Sequence, residues 1–128
     1  MKFHYKKYSQ SIFKPIIPIE IRYQGKAIIY EVLIDSGADL CIFDAEIGDI
    51  LGIDVIKGRP EKVGGITGVM QTYYVHRVTI VVEHRTFQTE VGFLPNMPKF
   101  SYGIVGQMGF FDQFKVTFNY KNKTIFLK

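Results

Sequence analysis

The sequence predicts an all-β fold, and three observations support this prediction. Short apolar segments recur along the 128 residues, and turn residues separate them about every eight to twelve positions. Phe and Tyr are frequent, at 11 and 8 residues, and together with β-branched residues they favour strands. Only two short segments have helical spacing. A chain of this length is most simply one domain with its own core, folded as a β-barrel or a β-sandwich.

The first half of the chain contains two clear strands and one helix. A strand begins after Pro15, where alternate residues are apolar as far as Tyr23. A turn at residues 24–26 leads into a second strand at residues 27–34, whose end is almost entirely apolar and is therefore expected to be buried. Residues 44–51 have helical spacing after an acidic first turn, and a glycine follows as the stop.

The second half contains the same kinds of segment. A glycine-rich stretch at residues 64–68 separates two strand-like runs, as in a hairpin with a mobile tip. The predicted order after it is a turn at 83–85, a strand at 86–94, a loop at 95–98, a short buried strand at 102–105, a helical turn at 107–114, and two strands around a turn at 121–123.

The composition narrows the classes of function. The formal charge is +4, with much of the lysine excess at the two ends, and we interpret it as a solvated surface rather than a nucleic-acid site. The single cysteine, Cys41, excludes an internal disulfide and a cysteine-rich metal site. The three histidines lack metal-ligand spacing. We expect no metal, no cofactor, no nucleic acid and no membrane partner.

The ends of the chain lead to two further expectations. Residues 1–14 are basic and aromatic without a clean period, so we expect a flexible or partner-dependent arm before a single domain at residues 15–128. No apolar stretch reaches the roughly 18 residues of a membrane helix. The first residues also lack the apolar core of a signal peptide, so a cytoplasmic location is expected.

The stretch "VLIDSGADL" at residues 32–40 combines an apolar approach with an acid. Asp35 ends a buried strand, and Gly37 allows the backbone to approach closely and donate hydrogen bonds to the carboxylate. Ser36 adds a hydroxyl. By itself an Asp-Ser-Gly triplet is also an ordinary turn, although such a turn is normally solvated. The apolar residues on both sides therefore favour an acid placed inside a cleft.

Two other segments extend this pattern. The glycine-rich "GGITG" lies at residues 64–68, and an apolar-apolar-Gly sequence, Ile104-Val105-Gly106, ends a strand before a helical turn. In this order and approximate spacing, the three segments resemble the retropepsin-like aspartic protease family. The resemblance covers about residues 15–128, and the last twenty residues look like the end of bacterial single-domain members.

The resemblance implies a fold, a reaction and a set of residues. The fold is a closed β-barrel with the aspartate on a ψ-shaped loop and a flap at roughly residues 62–73, and the reaction is peptide-bond hydrolysis. Asp35 would be the catalytic residue. The supporting residues of the motif would be Ser36, Gly37 and Ala38. Substrate would be bound by Asp39, Gly64, Gly65, Ile66, Thr67, Gly68 and Ile104.

Only one Asp-Ser-Gly triplet is present in the chain. Because the reaction needs two aspartates, a working site would require Asp35 from each copy of a homodimer, which places two identical groups on a twofold axis. Two neighbouring carboxylates share one proton, so one activates water while the other protonates the substrate.

The sequence also departs from the family. Some retroviral members have an arginine after the second glycine, paired with the acid four residues beyond the catalytic one. Here these positions are Gln107 and Asp39, so that ion pair is lost. Because the chain has one Asp-Ser-Gly motif and a monomer would lack the second aspartate, a non-catalytic retropepsin-like module that binds peptide or assembles with a partner is an alternative. A small basic β-barrel that binds nucleic acid is a third interpretation, and it rests on charge alone.

Overall fold

The computed structural model describes residues 1–99 and 101–128, and 55% of the chain lies in β-strands. The strands are β1 (Lys2–His4), β2 (Lys6–Ser9), β3 (Ile12–Lys14), β4 (Ile16–Tyr23), β5 (Lys26–Ile34), β6 (Ile42–Asp44), β7 (Arg59–Gly64), β8 (Met70–Val82), β9 (Arg85–Leu94), β10 (Gly103–Val105), β11 (Val116–Asn119) and β12 (Thr124–Leu127). The helical segments are α1 (Ala45–Ile50) and two 3-10 turns, Val55–Lys57 and Phe111–Gln113. The predicted all-β class is confirmed.

The main sheet has seven strands in the order β4-β5-β10-β6-β9-β8-β7. A second pairing of β4 with β8 links the first strand of this order to the sixth. The insertion of β10 between β5 and β6 matters most for the site. It runs parallel to β5 and antiparallel to β6, although β5 and β6 are consecutive in the chain. The segment that connects β5 to β6 must therefore pass across the end of β10.

The ends of the chain form smaller sheets. β1, β12 and β11 make a three-stranded sheet in that order, and β2 and β3 form a hairpin. We expected residues 1–14 to be a flexible or partner-dependent arm. In the structure they contain three strands, and β1 takes its backbone hydrogen-bond partners from β12, at the far end of the chain. This pairing has no local sequence signal. The division into an arm and a domain stays a prediction.

The core is built by alternate residues of the strands. Ile17, Ile19 and Ile21 of β4 are all buried, as their period of two predicts. Phe43 of β6 and Phe93 of β9 are fully buried and meet edge to face, with ring centroids 6.2 Å apart. Burying an aromatic or large aliphatic side chain contributes about 1.5–3 kcal/mol, so these residues hold the strands around β10 in place.

The short helix α1 begins and ends as its sequence predicts. The Asp44 carboxylate caps it by accepting a hydrogen bond from the Glu46 backbone N–H at 3.0 Å, which satisfies one of the free donors of the first turn. Gly52 follows with φ of +79°, the left-handed conformation that often ends a helix. Within residues 1–99 and 101–128, no helix is both long and apolar enough to cross a membrane.

Candidate active site

Asp35 is the first residue after β5, in the loop that crosses the end of β10. Its backbone N–H donates to the carbonyl of Val105, the last residue of β10, at 3.0 Å. Its carbonyl accepts a hydrogen bond from Ala38 N–H at 3.2 Å, which closes a tight turn. These contacts fix the backbone on both sides of the carboxylate, so the acid has a defined position at the sheet edge.

The carboxylate of Asp35 is partly exposed and has a backbone donor. Its Oδ1 accepts a hydrogen bond from Gly37 N–H at 2.9 Å. Ser36 and Gly37 are exposed, whereas Ala38 is half-buried. A carboxylate that is anchored on one side and open on the other can exchange a proton with a bound molecule.

Gly106 lies directly beneath the loop. A Cβ built at this position would stand 2.5 Å from the carbonyl oxygens of both Ala38 and Leu40, a distance that real Cβ atoms do not reach. The glycine is therefore required by the close approach of two backbone segments. The apolar-apolar-Gly pattern predicted from the sequence is explained by this contact, because any side chain would push the loop away from β10.

Gln107 continues the contact between the two segments. Its backbone N–H donates to the carbonyl of Ala38 at 2.8 Å, and its side-chain Nε2 donates to the carbonyl of Ser36 at 2.5 Å. The next residue, Met108, donates its N–H to the carbonyl of Asp39 at 2.9 Å. Among the described residues, Asp39 takes part in none of the ion pairs. Gln107 therefore supports the loop through backbone carbonyls instead of through that carboxylate.

A shallow hollow lies beside Asp35. Its lining includes Tyr5, Pro15, Leu33 and Phe118, so residues from both ends of the chain border the carboxylate. Burial, with a smaller contribution from Tyr120, raises the pKa of Tyr5. This hydroxyl therefore stays protonated through neutral pH. The hollow presents an apolar and aromatic wall next to the acid.

The predicted flap corresponds to the hairpin of β7 and β8. The last paired residues are Gly64 and Met70, and the Gly68 N–H donates to the Gly65 carbonyl at 2.9 Å to form the turn. Gly68 has φ of +77°, which favours glycine. Ile66 at the tip is fully exposed.

The structure brings some of the predicted site residues together and leaves others apart. Ile104 of β10 pairs with Leu33, two residues before Asp35, so the Asp-Ser-Gly and Ile-Val-Gly segments are neighbours in the sheet. The exposed tip residues do not line the hollow beside Asp35. A larger cleft borders the other end of the loop, and it is lined in part by Leu40, Tyr73 and Met108.

Sequence reasoning missed several residues of the site. Tyr5 and Phe118 border the hollow beside Asp35, but both belong to segments far from it in sequence. No local pattern could have revealed them. Gln107 was noticed only because it differs from the arginine of some family members, and its contact with the Ser36 carbonyl could not be read from the sequence.

Cys41 is buried, and its burial raises the pKa of the thiol to about 11. Within the part of the chain that the structure describes, no three His, Cys, Asp or Glu side chains are grouped as metal ligands.

Comparison with known proteins bears on the fold. No family model and no curated protein matches the sequence. Among solved structures, a retropepsin-like aspartic protease from Rickettsia conorii is similar, with a TM-score of 0.62 and 15% identity over 98% of this chain and 97% of that one. EIAV protease, in a complex with an inhibitor, is similar with a TM-score of 0.56 and 22% identity over 79% of this chain and 88% of that one. The chain thus has the retropepsin-like fold that its motifs predicted.

Proposed function

We propose that this chain is an aspartic endopeptidase that acts as a homodimer, with Asp35 of each copy supplying one carboxylate of the catalytic pair. The observation that carries the proposal is the position of Asp35. It lies partly exposed on the loop that crosses β10, held by Val105 and Gly37, in a chain whose fold is shared with two proteins described as proteases.

The proposed reaction uses water and the two acids only. One carboxylate takes a proton from water as the water oxygen attacks the peptide carbonyl carbon, and the protonated partner donates its proton to the carbonyl oxygen. Transfer of a proton to the amide nitrogen then allows the C–N bond to break, which yields an acid and an amine. Two neighbouring carboxylates that share one proton provide both functions at once.

The remaining predicted residues have supporting roles in this proposal. The motif residues after Asp35 would position the carboxylates at the dimer axis. The hairpin of β7 and β8 would close over the substrate and exclude water, with Ile66 as its apolar contact. The substrate-binding set is Asp39, Gly64, Gly65, Ile66, Thr67, Gly68 and Ile104, and the catalytic domain spans residues 15–128.

The direct test compares peptide cleavage by the wild type and Asp35→Asn, first at acidic pH. We expect the variant to lose at least about a hundredfold in kcat, since general acid–base catalysis contributes about 10²–10⁴-fold. Asp49→Asn is the matched control, because Asp49 is an exposed acid on α1 and should leave the rate unchanged. Equal cleavage by the wild type and Asp35→Asn would refute the proposal.

Mixing experiments test the shared site. When wild type and Asp35→Asn exchange subunits in equal amounts, mixed dimers have one acid each, so activity per wild-type chain should fall to about half. A monomeric enzyme would show no such loss. Binding of a peptide without cleavage, by a chain that stays monomeric at high concentration, would instead favour the non-catalytic module.

A further inference from the structure

The larger cleft at the end of the loop has a volume of about 530 Å³, which lies within the range of about 300–1,000 Å³ that is usual for ligand pockets. One face of β7, β8 and β9 lines it, together with residues of the segment that follows β10. Neither Asp35 nor the hairpin tip at residues 64–68 belongs to this lining. The cleft therefore has room for a ligand of its own, outside the proposed catalytic site.

The floor of the cleft is a packed sheet surface. Tyr73, Val75 and Arg77 alternate along β8, so they share one face of the sheet and line the cleft together. Tyr73 is only 6% exposed. A Cβ at Gly92 would overlap its ring, so the ring lies directly against the backbone of β9. The floor is thus formed before any ligand arrives.

The hydroxyl of Tyr73 provides a hydrogen-bond donor at this floor. Burial raises the pKa of the phenol, and of the two nearby charges Glu61 raises it further while Arg59 lowers it. The hydroxyl therefore keeps its proton at neutral pH. Because Glu61 and Arg59 also line the cleft, the proton is held where a ligand carbonyl can accept it.

Arg77 brings a positive charge that the chain leaves without a counterion. It stands opposite Glu90 across β8 and β9, but Glu90 Oε2 accepts a hydrogen bond from Arg59 Nη1 at 3.4 Å. Arg77 Nε donates to the amide oxygen of Gln88 at 3.3 Å instead. Among the described residues, no carboxylate lies within ion-pair distance of Arg77. Its guanidinium can therefore bind the carboxylate of a ligand.

Asp112 brings the complementary negative charge. Its Oδ2 accepts a hydrogen bond from Gly109 N–H at 3.2 Å, and its Oδ1 accepts one from Gln113 Nε2 at 3.5 Å. Burial is the main cause of the raised pKa of the Cys41 thiol, and the charge of Asp112 adds to it, so the carboxylate lies near this residue of the cleft. Within residues 1–99 and 101–128, Asp112 takes part in no ion pair.

We propose that this cleft binds a short peptide by both of its free termini, with the terminal carboxylate at Arg77 and the terminal ammonium at Asp112. Leu40, Val75 and Met108 supply apolar lining for the peptide side chains. A zwitterion fits better than a simple anion or cation, because either ion would leave one of the two opposite charges without a partner. The cleft excludes Asp35, so the inference goes beyond the proposed function and does not depend on it.

The length of the cleft sets the length of the peptide. Tyr73 and Arg77 are four residues apart on β8, so their backbones are separated by about 13 Å. An extended chain covers at most about 3.3–3.6 Å per residue, and four residues match this distance. Tetra-alanine is therefore the probe for the site, since its side chains add little beyond the backbone and the two termini.

Titration calorimetry with the full-length Asp35→Asn chain, in which the proposed cleavage is suppressed, tests the proposal. We expect tetra-alanine to bind with a dissociation constant below about 10 mM. An acetyl group on the amino terminus removes the positive charge, and an amide on the carboxyl terminus removes the negative one. Each cap should weaken binding about tenfold or more, because it removes a charge-assisted hydrogen bond.

Variants assign each terminus to its residue. Arg77→Gln should weaken the binding of tetra-alanine about tenfold and leave that of its carboxyl-terminal amide unchanged. Asp112→Asn should weaken tetra-alanine to a similar extent and leave the acetylated peptide unchanged, while its amide oxygen can still accept from Gly109. The matched control, Lys26→Gln with Asp49→Asn, removes one exposed cation and one exposed acid outside the cleft and should keep the original affinity.

Three results would overturn the proposal. The first is the absence of binding up to about 10 mM tetra-alanine, and the second is equal binding of tetra-alanine and the peptide capped at both ends. The third is a loss of affinity in the control variant as large as that in Arg77→Gln. None of these results bears on peptide cleavage by the wild type, so failure of this inference is distinguishable from failure of the proposed function.

Discussion

One glycine lies beneath the loop that carries Asp35 and another at the tip of the β7–β8 hairpin, and the two are needed for different physical reasons. At Gly106 a Cβ would stand 2.5 Å from two carbonyl oxygens of the loop, whereas at Gly65 a Cβ would meet nothing within 4 Å. The first glycine allows two backbones to touch, and the second lies in open space. The comparison indicates tight backbone packing beneath the acid and an unobstructed turn at the tip of the hairpin.

The largest expected effect is that of Gly106→Ala. The added methyl group must displace the loop or β10, so we expect a loss of about 3 kcal/mol or more in the free energy of unfolding, together with loss of peptide cleavage. Urea denaturation measures the first quantity. Gly65→Ala is the control and should stay within about 0.5 kcal/mol of the wild type. Similar losses of unfolding free energy in Gly106→Ala and Gly65→Ala would contradict the difference in packing around these two glycines.

A smaller effect is expected from Cys41, which is buried directly before β6. Burial raises the pKa of its thiol from 9.0 to about 11, so the unfolded chain releases this proton at lower pH than the native one. Stability is then complete below pH of about 9 and falls as pH rises to about 11, by about 2 kcal/mol. Tyr30, whose pKa burial raises to about 12, adds a loss in the same direction at higher pH.

The contribution of Cys41 can be isolated by difference. Cys41→Ala removes the thiol, so the gap in unfolding free energy between wild type and variant should narrow as pH rises from about 9 to about 11. A gap that stays constant over this range would show that the thiol is accessible, and hence that the region beneath the loop is less closed than the structure indicates.

The smallest expected effect is that of Gln107→Ala. This change removes the hydrogen bond from Nε2 to the Ser36 carbonyl, which is worth about 1 kcal/mol. Peptide cleavage should fall as well, because Ser36 adjoins Asp35, the proposed catalytic acid. Gln10→Ala, at an exposed position in the β2–β3 turn, is the control. Unchanged stability and cleavage in Gln107→Ala would mean that the backbone contacts of Ala38 and Asp39 suffice to hold the loop.

Elements with a strong local signal were predicted well. The alternation of Ile17, Ile19 and Ile21 predicted β4, and the acidic first turn followed by Gly52 predicted α1 to within one residue at each end. The turn at residues 83–85 lies between β8 and β9, although Arg85 already belongs to β9. In each case the residues that determine the structure are close neighbours in the sequence, so side-chain period and turn chemistry suffice.

Elements whose partners are distant were missed or only partly placed. β1 exists because β12 supplies its hydrogen bonds, and β6 is a three-residue strand held between β10 and β9. β7 begins at Arg59, three residues before the predicted flap, because its edge pairs with the long strand β8. Backbone hydrogen bonds between remote segments produce no periodic pattern of residues that could be recognised in the sequence.

The sequence by itself determined the all-β class, the main strands, and the two motifs that meet at Asp35 and Gly106. Local pattern and the steric demand of one glycine are enough for these. The tertiary structure alone decided what surrounds the acid. Three features join residues far apart in the chain: the contact of Gln107 with Ser36, the hollow bordered by Tyr5 and Phe118, and the pairing of β1 with β12. Such contacts depend on how strands pair in space, and sequence spacing does not encode that pairing.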